Sequence, residues 1–102
     1  MGYSETFVAE ATASTPEEAF KAARKFAIAY HGNSGYTGTI AEKSHFTMAT
    51  DKIMGSDDAY ILADQLSFTT YRDKWGPAGC IQLTSSNSQD KNLYLFFGWA
   101  SA

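Results

Sequence analysis

Few side chains in this sequence could do chemistry: the thiol of Cys80, the imidazoles of His31 and His45, the carboxylate of Glu42, and the acidic trio Asp51, Asp57 and Asp58. A thiol nucleophile needs a base within reach, and the sequences that supply one have recognisable surroundings. Cys80 stands in "AGCIQL", which lacks them, and reads as a small buried hydrophobe on a strand. The chain has no Gly-x-Ser-x-Gly elbow, phosphate-binding loop or Gly-x-Gly-x-x-Gly run. No catalytic residue is assigned.

Metal chemistry needs several ligands at set spacings. His31, His45 and Cys80 lie far apart in the chain. The stretch "TDKIMGSDD" lacks both the ligand spacing and the closing Glu of a calcium loop. Neither a metal nor a cofactor is expected.

Glu42 poses a sharper question. In an unbroken strand from Tyr36 to Ala49 it shares a face with Ile40 and Phe46, while Lys43 and His45 point the other way. Either the chain turns at "AEKS" and carries those residues into solvent, or a carboxylate points inward and needs a partner or a raised pKa. The inward reading implies a pocket between helix and sheet, with Glu42, His45, Tyr36 and His31 as its polar and aromatic groups. His31 also has a plainer role, as a cation near a helix C-terminus.

The elements that position these residues follow from pattern. Ser4 to Ala13 alternates as a strand, with Phe7, Ala9 and Ala11 on one face and Thr6, Val8, Glu10 and Thr12 on the other. "STPEEAFKAARKFAIAYHG" then carries a full set of helix signals. Thr15 is the N-cap, Pro16 the first helical residue, Glu18 the capping-box partner and Gly32 the stop. Its apolar stripe is Phe20, Ala23, Ala27 and Tyr30, with Ala19 and Phe26 alongside.

Gly55 marks a turn, Ser56 can cap, and Ala59, Leu62, Ala63 and Leu66 recur at helical spacing. "YRDKWGPAGC" reads as a connector into the strand "CIQL", because Pro77 favours extended geometry at Gly76. Trp75 is expected to cover the edge of the core there. A polar loop, "TSSNSQDKN", leads to a closing strand, "LYLFFGWASA", which is apolar on both faces.

The 102 residues make one α+β domain spanning 1–102: a small, mostly antiparallel sheet of four or five strands, ordered β-α-β(β)-α-β-β, with two helices packed on one face. Net charge is −3 and no basic stripe exists, so nucleic acid is not an expected partner. "KNLYLFFGW" resembles an RNA-stacking strand only superficially. No apolar run is long enough to span a bilayer, and the start lacks a signal peptide's pattern. Gly2 and Thr6 fit the spacing for N-myristoylation, but Tyr3 and Glu5 suit it badly. A cytoplasmic location is expected.

Aromatic residues make up 15% of the chain, high for this length. If both helices sit on one face, the last strand leaves aromatic side chains that need a second cover. The expected function is therefore a non-enzymatic binding protein, homo-oligomeric through an aromatic sheet face and engaging another protein, as accessory proteins of phages and mobile elements do. Tyr94, Phe96, Trp99 and Trp75 are the interface candidates. The alternative is a small-molecule binder or enzyme built on the Glu42 pocket.

Overall fold

The computed structural model describes residues 4–31, 38–84 and 91–101. Its elements are β1 (Ser4–Ala13), α1 (Pro16–His31), a 3₁₀ turn (Ile40–Glu42), β2 (Phe46–Met48), α2 (Ser56–Ser67), β3 (Ala78–Leu83) and β4 (Asn92–Ser101). The strands form one sheet in the order β1-β4-β3-β2. β1 and β3 run antiparallel to β4, and β2 pairs parallel with β3. The class and element order are those expected, with α2 making the crossover that a parallel pair requires.

The helices divide between the two faces of the sheet, where one face had been expected to carry both. Phe20, Ala23 and Ala27 of α1 pack in one buried cluster with Phe7, Cys80, Tyr94 and Phe96. Ala59 and Ala63 of α2 belong to another, with Ile81, Leu83, Leu95 and Phe97. Successive residues of β4 point to opposite faces, so its doubly apolar sequence is the signature of a central strand covered on both sides. Rings fill both layers. Phe96 packs against Phe20 and Phe46, and Tyr71 meets Phe97 edge-on.

Local signals account for α1. The backbone N–H of Glu18 donates to Thr15 Oγ1 at 3.2 Å, and that of Ala19 donates to the Thr15 carbonyl. Alanines at 19, 23 and 27 let the helix lie close over the small residues of β1. Phe26 and Tyr30, expected in that stripe, stand in solvent instead. In α2 the capping residue is Gly55, without a side-chain cap bond, and Ser56 is already helical.

The expected long strand from Tyr36 to Ala49 reduces to β2. Within its described part, Thr39 Oγ1 accepts from Ala41 N–H and the chain coils through Ile40–Glu42 before β2. That coil breaks the two-residue alternation on which Glu42's orientation rested. Among the described residues no helix is long and apolar enough to cross a membrane.

Candidate interaction surface

The coil sends a different residue inward. Lys43, expected on the opposite face or in solvent, is only 2% exposed. Its Nζ donates to the backbone carbonyls of Gly76 at 2.9 Å, Lys74 at 3.0 Å and Asp73 at 3.4 Å. An ammonium has three protons to give, so this cradle satisfies it. Burial pulls the Lys43 pKa down, and the Asp73 carboxylate partly offsets that.

Lys43 thereby pins the turn that carries Trp75. The same turn is tied internally, because Asp73 accepts from Trp75 N–H through its carboxylate and from Gly76 N–H through its carbonyl. Trp75 itself is 63% exposed, so it does not cover the core edge as expected, and Lys74 Nζ stands 5.4 Å from its ring centroid. The connector expected at 71–79 thus also presents a ring on a fixed backbone.

The other interface candidates lie elsewhere. Tyr94 and Phe96 are buried beneath α1 of their own chain, so the reason for seeking a second cover over them disappears. Trp99 is half-buried, donates from its indole N–H to the Ser67 carbonyl at 2.6 Å and meets Phe68 edge-on. These candidates do not form one aromatic face.

The pocket candidates also separate. Glu42 is half-buried in the 3₁₀ turn. His45 is exposed, with Ser44 Oγ at 2.9 Å from its Nδ1, and borders a shallow groove of about 540 Å³ with Lys21, Arg24 and Phe46. Glu42 does not line that groove. Tyr36 and the side chain of His31 lie outside the described residues. Cys80 is fully buried, and burial pushes its thiol up to about 12. Among the described residues no group of three His, Cys, Asp or Glu is placed to hold a metal ion.

A different surface is better built. β1 is an edge strand of ten residues, paired with β4 in unbroken register from Ser4↔Ser101 to Ala13↔Asn92. Among the described residues no strand pairs with its outer side, so alternate backbone N–H and C=O groups face outward. The strand has no proline, lysine or bulge, and its only charged side chains are the carboxylates of Glu5 and Glu10.

Beside this edge runs a groove of about 660 Å³, lined on one wall by residues 6–12 and on the other by Ala22, Ala23, Phe26 and Ala27 of α1. Apolar side chains flank it. Phe26 and Tyr30 stack with ring centroids 4.6 Å apart while both face solvent, and Val8, on the opposite side of the strand, is 55% exposed. On the far face Tyr60 donates to Glu10 Oε2 at 2.6 Å, tying α2 to the same strand. Val8 was legible in the sequence as the apolar member of an otherwise polar face. The edge was not, since strand order cannot be read from alternation.

No family model matches the chain, and neither curated proteins nor solved structures give a significant match.

Proposed function

We propose that this chain is a small cytoplasmic binding protein that works as a self-associated assembly, docking through the outer edge of β1 rather than through Tyr94 and Phe96. The observation that carries this reading is the regular ten-residue edge, free of proline and bulge, flanked by exposed Val8 and Phe26. Covering a Val- or Phe-sized side chain contributes roughly 1.5–3 kcal/mol. The backbone ladder adds direction and register. Trp75, held out on the Lys43-pinned turn, is the anchor left for a different protein partner, because a fixed aromatic loses little freedom on binding.

Amide hydrogen exchange tests the assembly. Every second N–H between Ser4 and Ala13 should gain protection as protein concentration rises, while exposed loop amides stay unchanged. Concentration-independent exchange throughout β1 would contradict the proposal. The groove beside His45, with Lys21 and Arg24, keeps a small-molecule reading alive, and a ligand-dependent rise in Tm of a stable monomer would favour it.

A further inference from the structure

Resting on that reading, we infer that the occupant of the β1 edge is a second copy of this chain, its β1 antiparallel and centred on Val8. A closed pair requires a two-fold axis, and for edge-to-edge strands that axis stands perpendicular to the sheet. Such an axis sets each central residue opposite itself. A register that put Glu5 opposite Glu10 is therefore excluded by symmetry, and the choice narrows to the residue at the centre.

Val8 at the centre leaves only Ala13 of the ten-residue strand unpaired. It sets Val8 against Val8, Phe7 against Ala9, Glu5 against Ala11 and Glu10 against Thr6. Both carboxylates thus meet small or hydroxyl side chains and avoid each other. Centring on Ala9 would drive Glu10 onto Val8, and centring on Phe7 would shorten the ladder. Paired β-branched residues are favourable across antiparallel strands, which supports the Val8 centre.

The area suffices. Nine paired residues span about 30 Å at ~3.3 Å each. With α1 alongside, the face is about as deep as the fold's smallest extent of 18 Å. Pairing then covers up to roughly 540 Å² on each copy, or roughly 1,100 Å² in total, just above the ~1,000 Å² that a biological interface should clear. The two grooves merge, and Phe26 of each copy is carried towards its partner's edge.

Cysteine cross-linking reads the register, because the only native thiol, Cys80, is buried and silent. Val8, Thr6 and Glu10 are all exposed, so substitution there leaves the core untouched, and Glu10→Cys gives up only the surface bond from Tyr60. Under mild oxidation Val8→Cys should form a covalent dimer. Thr6→Cys and Glu10→Cys should each remain single chains, yet cross-link when mixed. A dimer by light scattering that yields no Val8→Cys link, or links Thr6→Cys to itself, overturns this inference and leaves self-association standing. Equal linking of every variant would mean random collision and overturns it too. A monomer at all concentrations overturns both.

Discussion

At the scale of single residues, the group that organises most is Lys43, whose ammonium holds three carbonyls of a surface turn. Replacing it by the similarly shaped methionine removes those bonds from partly buried acceptors. Lys43→Met should cost about 1–3 kcal/mol in urea unfolding. A neutral result would mean the cradle contributes nothing net. Nothing near position 43 in the sequence revealed this role, since its partners lie some thirty residues away and the coil at Ile40–Glu42 reset the phase.

Cys80 and Lys43 act in opposite directions on pH dependence. The folded Cys80 thiol sits near 12 against an ordinary value of 9.0, so the unfolded chain loses its proton first. The stability it contributes is complete below pH 9 and is lost as pH rises towards 12. Lys43 has a lowered folded pKa, so its contribution is greatest above 10.5 and falls as pH drops through the folded value. Unfolding free energy measured from pH 8 to 11 should therefore decline less steeply in Cys80→Ala and more steeply in Lys43→Met than in wild type. Native Cys80 should also label slowly with a thiol reagent and rapidly in urea.

Among the elements, α1 was the most legible because its start and its alanine stripe are written locally. Thr15→Ala should remove the bond to Glu18 N–H and cost about 1 kcal/mol, with association through β1 unchanged. An unaltered midpoint in thermal melts would place the cap elsewhere. β4 was read correctly as apolar on both faces, and the inference that it needs two covers was sound. What alternation could not supply was which cover goes where. The second came from α1 of the same chain, with Phe20 against Phe96, so the sequence pattern that looked like an interface was a sheet centre. The stretch before β2 was legible only as a choice between an unbroken strand and a turn at "AEKS": the 3₁₀ turn at Ile40–Glu42 leaves Ile40 and Phe46 on the α1 side as expected but brings Lys43 inward between them, which alternation could not show.

For the whole molecule, the sheet has unequal ends. β2 offers three residues beside β3, whereas β1 offers ten with apolar side chains next to them. Association is thereby directed to one edge, which favours a closed pair over an open fibre. Light scattering across micromolar concentrations tests this most directly, on wild type and on Val8→Lys, a charge placed on an exposed edge position that the fold tolerates. The account predicts a dimer mass for wild type, at least about tenfold weaker association for Val8→Lys, roughly 1.4 kcal/mol or more, and unchanged circular dichroism. A wild type that remains monomeric, or a Val8→Lys variant that dimerises as well as wild type, would contradict it.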